Sequence, residues 1–372
     1  MSRQRLIVLL IAALVAISGA LYLSTQRNQS RDVHGALLLP SLAGELDTVT
    51  SVNVLKGSTT PSVTVRKQGE QWTVAERANY PADVAKLRKL LLALGDAKIR
   101  EEKTADPANY SIIGVEDPTK SGSTGAQIEL IAKDGKHGLI VGKPASQGNY
   151  VRRAGEKASY SVEPAISVEA EPRYWIDTRL LDISTDKIQS VEFKPATGSG
   201  YALRRVSEPT PAPAPTAAAG AAAPAPAAPP VPPPSKFVLE GVPSGRQAAD
   251  AQTLAPAPNF LGSLSSDDVG AAADIDFSKP LIVTVTLSDG SVITLSGTTV
   301  GEKRWIQVAA PKDAALSAKA SGRAFEIASY RYDNIFRPLE QMLVPKPAPA
   351  GPKPPTASPP TSAKKPAAVP KP

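Results

Sequence analysis

The 372-residue sequence contains no cysteine and only two histidines, His34 and His137. The absence of cysteine excludes disulfide bonds, thiol catalysis and thiolate metal sites. A zinc site or a Ser-His-Asp triad would need one of the two histidines, and no motif for such a site surrounds either of them. His34 lies just past the N-terminal apolar run and His137 follows an Asp-Gly turn, so both histidines are predicted to be solvent-exposed. The lack of cysteine also suits a bacterial export route, on which a body of this size is stable without crosslinks.

Other catalytic signatures are missing as well. No GxxxxGK[ST] motif occurs, and no GxGxxG motif follows a strand. The adjacent carboxylates Glu101 and Glu102 are predicted to lie at a charged helix end, and Asp267 and Asp268 in a turn, because sequence neighbours seldom converge on one reacting atom. No catalytic, cofactor-binding or metal-binding residue is predicted, and the protein is expected not to be an enzyme. A hydrolase that uses a carboxylate pair remains an open alternative.

Aromatic residues are few, at 5% of the chain, and three of them are tryptophans: Trp72, Trp175 and Trp305. They could form a platform for sugar binding. Core packing is the favoured interpretation, because large aromatic side chains are usually buried.

The net charge of +7 resides at the two ends of the chain. Residues 1–31 carry four arginines and residues 345–372 carry five lysines, and neither segment contains an acid. The remainder holds 33 basic and 35 acidic residues, so the body is close to neutral. A basic groove for nucleic acid is therefore not expected.

Residues 6–23 form an apolar run preceded by Arg3 and Arg5. As a helix the run would span about 27 Å, close to the thickness of the hydrocarbon core. We predict a single-pass bacterial inner-membrane anchor that places the body in the periplasm. The alternative is a signal peptide cleaved near Ala20, which would release the body into the periplasm.

Four blocks recur in the same order, which predicts an internal duplication. The pairs are DTVTSVNV (47–54) with DKIQSVEF (186–193), VTVRK (63–67) with YALRR (201–205), QIELIAKDGK (127–136) with IVTVTLSDGS (282–291), and NYVRR (149–153) with RWIQV (304–308). Asp134-Gly135 and Asp289-Gly290 read as hairpin turns. Calcium binding there is a remote alternative, since no ladder of acidic ligands accompanies them.

A long Pro/Ala tract, residues 208–235, follows the second block of the second copy. The tract cannot bury enough apolar surface to fold and is predicted to be disordered. In the first copy a short turn joins the equivalent strands, so the tract is predicted to be a hairpin loop that bulges from one half. Phe237 and Leu239 then correspond to Trp72 and Val74.

The predicted fold is α+β, with two similar halves that each combine antiparallel strands and a helix. A helix is expected with Pro81 in its first turn and Gly95 at its end, with Val84, Leu87, Leu91 and Leu94 on one stripe and Leu90 beside it. The second copy of this helix, within residues 258–272, is expected to be short or broken. Residues 172–183 are expected to be helical or a turn, and residues 325–343 a closing helix that Pro338 kinks.

The predicted organisation has four parts: 1–31 anchor and flanks, 32–184 first half, 185–344 second half with the insert, and 345–372 a disordered Pro/Lys-rich tail. The extended tail could reach about 87 Å. Its lysines could be merely solubilising, which is the favoured interpretation, or could contact anionic lipid or cell-wall polymer, or dock a partner.

The ordered elements QWTVAERANYPADVAKLRKLLLALGDAKI, NYSIIGVEDP, GAQIELIAKDGK, NYVRR and RYWIDTRLLDI resemble the bacterial family called domain of unknown function 4340. Tyr80, Pro81, Glu116, Asp117 and Pro118 match its motif, and they read physically as a helix start and a turn. The likeness covers approximately residues 45–200 well and the second half more loosely, and the insert and the tail depart from it.

The resemblance implies a membrane-anchored protein without an assigned activity. It also implies a partnership with an ABC-type transport system related to gliding-motility transporters, through a permease or a periplasmic subunit. The expected function is thus that of a non-enzymatic accessory protein. The alternative is a cell-envelope module that binds peptidoglycan or another glycan through aromatics and the lysine-rich tail.

Overall fold

The computed structural model describes residues 17–18, 33–120, 122–207 and 235–345. The predicted anchor lies outside these residues apart from Ile17 and Ser18. In the described part, no helix is both long enough and apolar enough to cross a membrane. The predicted Pro/Ala insert, except Ser235, and the predicted tail, except Pro345, also lie outside the described residues.

In the first half of the described chain, strands pair antiparallel into one nine-stranded sheet with the order β4-β3-β2-β1-β6-β7-β8-β9-β5. The strands are β1 (Ser51–Leu55), β2 (Val63–Gln68), β3 (Gln71–Val74), β4 (Tyr80–Pro81), β5 (Lys98–Thr104), β6 (Ala126–Ala132), β7 (Gly135–Ala145), β8 (Gly148–Arg153) and β9 (Ser159–Glu163). Helices α1 (Val84–Gly95) and α2 (Tyr110–Ile113) connect strands of this sheet.

The second half contains an eight-stranded antiparallel sheet within the described residues, with the order β13-β12-β11-β17-β18-β19-β20-β16. Strands of this half and its borders are β10 (Arg179–Leu181), β11 (Ile188–Lys194), β12 (Tyr201–Ser207), β13 (Ser235–Glu240), β14 (Arg246–Ala248), β15 (Leu264–Ser265), β16 (Asp268–Ala271), β17 (Leu281–Leu287), β18 (Val292–Val300), β19 (Lys303–Ala309), β20 (Arg323–Ile327) and β21 (Leu343–Pro345). Its helices are α3 (Ala251–Leu254), α4 (Ala314–Ala320) and α5 (Ser329–Ile335).

The two sheets have the same strand order once the two-residue edge strand β4 is set aside. β1, β2 and β3 correspond to β11, β12 and β13, and β6–β9 correspond to β17–β20, while β5 and β16 close the opposite edge. Each of the four recurring sequence blocks falls on corresponding strands. Large antiparallel sheets with a few helices make this an α+β protein, as predicted.

The strands on either side of the Pro/Ala tract pair with each other. Leu203 lies opposite Leu239, and Arg205 lies opposite Phe237. In the first sheet, Val65 lies opposite Val74 and Lys67 opposite Trp72 in the same arrangement. The predicted hairpin across the tract is therefore present.

Helix α1 begins and ends close to its predicted limits. The Asp83 carboxylate accepts hydrogen bonds from the backbone N–H groups of Ala85 and Lys86, which makes Asp83 the N-cap. Tyr80 and Pro81 precede the helix as strand β4. The buried stripe consists of Leu87, Leu90 and Leu94. The prediction was wrong for Val84, the first residue of the helix, whose side chain is 49% exposed, and Leu91 is half-buried.

The predicted closing helix over residues 325–343 was wrong as a single element. Phe325 belongs to strand β20, α5 ends at Ile335, and a short 3₁₀ turn covers Leu339–Met342. Pairing of β20 with both β16 and β19 holds its residues in extended conformation, so tertiary contacts override the helical pattern. Tyr332, Ile335 and Phe336 are nevertheless buried as expected.

Buried apolar side chains from both sheets form one continuous core. It extends from Val52 and Leu87 in the first half to Val285 and Phe325 in the second half. The second copy of α1 predicted within residues 258–272 is reduced to a 3₁₀ turn at Asn259–Leu261, and the rest of that segment contributes strands β15 and β16. The short helix α3 lies just before the predicted segment.

Candidate functional site at the junction of the two sheets

The loop between β3 and α1 contains two consecutive non-glycine residues in left-handed conformation, Ala78 at φ 52° and Asn79 at φ 49°. Such a conformation is uncommon for residues with a Cβ atom and needs support from its surroundings. The support comes from the second half. The Arg323 guanidinium donates hydrogen bonds of 3.1 Å to the carbonyl oxygens of both Ala78 and Asn79.

Arg323 also donates hydrogen bonds within the second half itself. Its Nη1 donates to the carbonyl oxygen of Ala318 at 3.1 Å and to that of Lys319 at 2.9 Å, at the end of helix α4. A cation at that position also complements the negative end of a helix. Arg323 thus connects the end of α4 to the strained loop of the first half.

Two ion pairs lie beside Arg323 and also join the halves. Arg77 Nε donates to Asp268 Oδ1, and both side chains are largely buried. Lys319 Nζ lies 2.9 Å from Asp177 Oδ2 and also donates to the Arg179 carbonyl oxygen. Partly buried, hydrogen-bonded pairs of this kind position elements more effectively than pairs on an open surface.

Tyr80 lies at the centre of these contacts and is fully buried. Its ring packs edge-on against Phe325, with 5.6 Å between centroids. Lys319 Nζ and Arg323 Cζ lie 5.5 and 5.7 Å from the centre of the Tyr80 ring, which favours cation–π attraction.

The Tyr80 hydroxyl has no hydrogen-bond partner among the described residues. Burial raises the pKa of Tyr80 well above the usual range, the negative charge of Asp177 raises it further, and Arg323 partly opposes the shift. Burial in turn lowers the pKa of Arg323. The phenol is therefore neutral at physiological pH.

A cavity of about 400 Å³ opens at this junction, lined by Asn79, Pro81, Asp177, Lys319 and Arg323 among others. Its cations are bonded to Asp177 and to main-chain carbonyls. The geometry of the site is suited to fixing the two halves against each other. The Lys319 amine in its lining is bonded to the Asp177 carboxylate and to the Arg179 carbonyl oxygen.

The second motif of the family, GVEDP, forms a turn that Arg152 on β8 stabilises. The guanidinium of this buried side chain donates to the Val115 carbonyl oxygen at 2.9 Å and to Asp117 Oδ1 at 2.6 Å. It also lies over the Tyr110 ring, at 4.6 Å from the centroid. Glu116 is buried, and its Oε2 atom has no hydrogen-bond partner among the described residues. Pro118 follows in the same turn.

The two histidines lie in different environments. His34 is exposed, as predicted. His137 is not, because its side chain is only 16% exposed and its Nε2 lies 2.9 Å from Asp134 Oδ1. The hydrogen bond from His137 lowers the pKa of Asp134. This local pair follows the Asp134-Gly135 turn, which joins β6 and β7 as predicted.

The carboxylate pairs also differ from their predicted positions. Glu101 and Glu102 lie in strand β5 and not at a helix end, because this segment pairs with β9. Asp267 lies next to the first residue of β16, and Asp268 belongs to that strand and bonds Arg77. Within the ranges that the structure describes, no group of three or more His, Cys, Asp or Glu side chains could hold a metal ion.

The tryptophans support the core interpretation for two of three positions. Trp175 is buried and its Nε1 donates to the Glu169 carbonyl oxygen at 2.8 Å. Trp305 on β19 is 9% exposed. Trp72 is only half-buried, and it lines an open groove beside α1.

Sequence reasoning missed Arg323, Lys319 and Asp177 as partners of Tyr80. Tyr80 itself belongs to the recognised motif, but its neighbours come from sequence positions about one hundred to two hundred and fifty residues away. No sequence signal marked these partners, because the pair Ala78-Asn79 before the motif contains no glycine that would indicate a left-handed loop.

Both motifs lie within a segment that matches the model of a known protein family. The family model "Domain of unknown function (DUF4340)" matches residues 72–229. The match begins at Trp72 on β3, covers both motifs and ends within the Pro/Ala tract. It confirms the resemblance that the motifs indicate. Searches among curated proteins and among solved structures found no match.

Proposed function

Because residues 72–229 carry a DUF4340 domain, we propose that this chain is a non-enzymatic accessory protein anchored in the bacterial inner membrane. Its body faces the periplasm, and its partner is a permease or a periplasmic subunit of an ABC-type transport system. The partner class comes from the resemblance, and the location comes from the apolar run at residues 6–23 with Arg3 and Arg5 before it.

The non-enzymatic part of this proposal rests on one observation: the charged side chains at the junction of the two sheets are bonded to carbonyl groups and to each other. Arg323 bonds four main-chain carbonyls, and Lys319 and Arg77 bond Asp177 and Asp268. Charged groups that are used in this way hold elements in place, whereas a catalytic group needs free capacity toward a substrate. A body of two joined sheets is well suited to presenting fixed surfaces to partners.

We also infer that the two halves derive from one ancestral unit that was duplicated. The support is the common strand order of the two sheets together with the four sequence blocks on corresponding strands. On this interpretation the Pro/Ala tract is a late extension of one hairpin, because the corresponding first-half connection from Gln68 to Gln71 is short.

Affinity purification of the tagged full chain in mild detergent tests the proposed function. We expect an ABC permease or a large periplasmic subunit, identified by mass spectrometry, to co-purify. A matched chain whose residues 1–31 are exchanged for a cleavable signal peptide should lose the membrane fraction. Recovery of the anchored protein alone would contradict the proposal.

The basic tail leaves a second candidate function, binding to anionic cell-wall polymer. Lys346, Lys353, Lys364, Lys365 and Lys371 are accompanied by no acid. Sedimentation with purified sacculi separates the two functions when the full chain is compared with a chain ending at residue 344. An equal sedimented fraction would eliminate the tail as a cell-wall ligand.

A further inference from the structure

An open apolar groove of about 360 Å³ runs between helix α1 and the β2–β3 hairpin. Leu87 forms part of its floor, and the half-buried Trp72 and Leu91 form its walls. Val84 and Leu92 stand on its rim, and each is 49% exposed. Because they are eight residues apart, they lie on one stripe of the helix. An exposed apolar stripe beside a concave surface is typical of a protein-interaction site.

The equivalent position in the second half is closed. Phe237 corresponds to Trp72 by strand register, and it is only 7% exposed. Arg205, opposite Phe237, lies over its ring with 4.7 Å between Cζ and the centroid. Arg205 also donates to the Ile188 carbonyl oxygen at 2.7 Å and to that of Thr185. The short helix α3 packs beside the strand that carries Phe237.

In the first half the same elements leave the aromatic side chain accessible. Lys67 takes the place of Arg205 opposite Trp72, and its Nζ has no hydrogen bond or ion pair among the described residues. In the second half, the short helix α3 packs against β13. In the first half, an open groove lies between the longer helix α1 and β3. The comparison between halves thus shows that this surface can be covered by an apolar helical element, and that in the first half this chain's described residues do not cover it.

The charge of the rim indicates the occupant. Lys67 and Arg88 line the groove and neither forms an ion pair in the described part of the chain, while Asp47 supplies one opposing charge. The chain's own C-terminal tail carries only lysines and is repelled by these cations. A concave surface receives protruding side chains better than the flat surface of a lipid bilayer.

We propose that this groove binds an amphipathic helix of a partner protein, with apolar side chains at i, i+3, i+4 and i+7 and acidic residues on its flanks. Its leucine-like side chains enter the space bounded by Trp72, Leu91 and Leu92, and its carboxylates pair with Lys67 and Arg88. The inference rests on the proposed function, because it names the chemistry of the docking partner.

Fluorescence anisotropy with a designed peptide tests the groove directly. The probe is a labelled helical peptide of about 18 residues with leucine at i, i+3, i+4 and i+7 and glutamate on both flanks. It is titrated against the full chain in mild detergent. We expect a dissociation constant on the order of micromolar. Leu92→Glu should weaken binding by about tenfold or more, because it places a charge in the apolar contact.

The matched control is Ile112→Glu, since Ile112 is 67% exposed on the separate helix α2. It should bind the peptide as the parent chain does. The double variant Lys67→Glu/Arg88→Glu should reverse the preference and favour a peptide with lysine flanks. Absence of binding, equal loss in the Ile112→Glu variant, or no preference between acidic and basic flanks would each overturn the proposal.

A lipid occupant gives a different result. The probe is a full-chain variant that retains Trp72 as its only tryptophan. The wavelength of its Trp72 fluorescence emission should be the same in nanodiscs of neutral and of anionic lipid. A shift to shorter wavelength in anionic nanodiscs without peptide would place the groove on the membrane and overturn the proposal. Purification of the Leu92→Glu variant separates the two inferences. If the Leu92→Glu variant recovers as much transporter subunit as the parent chain, the proposed groove is contradicted and the proposed function is not. If the parent chain binds the peptide but recovers no transporter subunit, the proposed function is contradicted and the groove is not.

Discussion

At the scale of single residues, the junction between the two halves depends on side chains of one half that donate hydrogen bonds to main-chain carbonyl groups of the other. Arg323 holds the left-handed residues Ala78 and Asn79, because its planar fork donates to the carbonyl oxygens of both. Tyr80 fills the space beneath them with its ring, although its hydroxyl lacks a partner among the described residues. Packing of the ring outweighs the unfavourable burial of that hydroxyl.

Replacing Arg323 by alanine should lower the free energy of unfolding by about 2–4 kcal/mol, because charge-assisted bonds to four carbonyls are lost. Urea denaturation followed by circular dichroism measures the change. Arg331→Ala is the control, since the half-buried Arg331 makes an exposed hydrogen bond to the Ser263 carbonyl oxygen and should matter by less than about 1 kcal/mol. Equal losses in the two variants would show that Arg323 has no special role.

The raised pKa of Tyr80 predicts a loss of stability in alkali. The unfolded phenol ionises near its ordinary pKa of about 10, while the folded phenol stays protonated to higher pH. The stabilisation is complete below the unfolded pKa and is lost as pH rises toward the folded pKa. Tyr80→Phe should therefore reduce the decline of the unfolding free energy above about pH 10. Tyr201, whose pKa burial also raises, should account for part of the remaining slope.

Urea titrations at a series of pH values measure both slopes. At neutral pH, Tyr80→Phe should change stability little or increase it slightly, because the hydroxyl that it removes has no partner among the described residues. An alkaline slope identical to that of the parent chain would show that Tyr80 ionises normally in the folded protein.

At the scale of elements, hairpin β12–β13 shows how the fold accommodates a long insertion. The hairpin pairs from Ala202 with Glu240 to Ser207 with Ser235, so its ladder continues up to the insertion point. Strand β12 is also bonded to β11 on its other side. The flanking strands are therefore held by the sheet and by buried Leu203 and Leu239, whatever the length of the loop between them.

Exchange of residues 208–234 for an Asn-Gly turn should preserve the fold. The loop becomes roughly ten times shorter, and the smaller entropy of closure should raise the free energy of unfolding by about 2 kcal/mol. Urea denaturation and the circular dichroism spectrum of the shortened chain check this expectation. An unfolded or aggregated product would mean that the tract is needed for pairing of β12 with β13.

At the scale of the whole molecule, the two sheets share one hydrophobic core and are joined by Arg77–Asp268, Lys319–Asp177 and the Arg323 bonds. Strand β10 also pairs with β15 across the boundary between the halves. Continuous apolar packing makes the energies of the two halves interdependent.

The halves should consequently unfold in one cooperative transition. Two single-tryptophan variants report on them separately, one that retains Trp72 in the first half and one that retains Trp305 in the second, with phenylalanine at the other positions. Their fluorescence transitions in urea should coincide with each other and with circular dichroism. Separated midpoints would show that each half is an independent folding unit.

Most local elements and their order could be predicted from the amino-acid sequence. Alternation of apolar residues and Asp-Gly turns identified strands β6, β7, β17 and β18, and the YPAD…LL pattern identified α1. Matching blocks 138, 139 or 155 residues apart indicated which strands correspond. These features depend on residues close in the chain, whose periodicity reflects a single buried face.

How the elements meet depends on contacts between segments that are distant in the chain. The helical pattern after Phe325 gave way to strand β20 because β16 and β19 bond it on both sides, and Glu101 and Glu102 were drawn into β5 by β9. The junction around Tyr80 and the open groove beside Trp72 depend on side chains from distant segments. Their positions follow from packing and long-range hydrogen bonding, which leave no periodic signal in a single sequence.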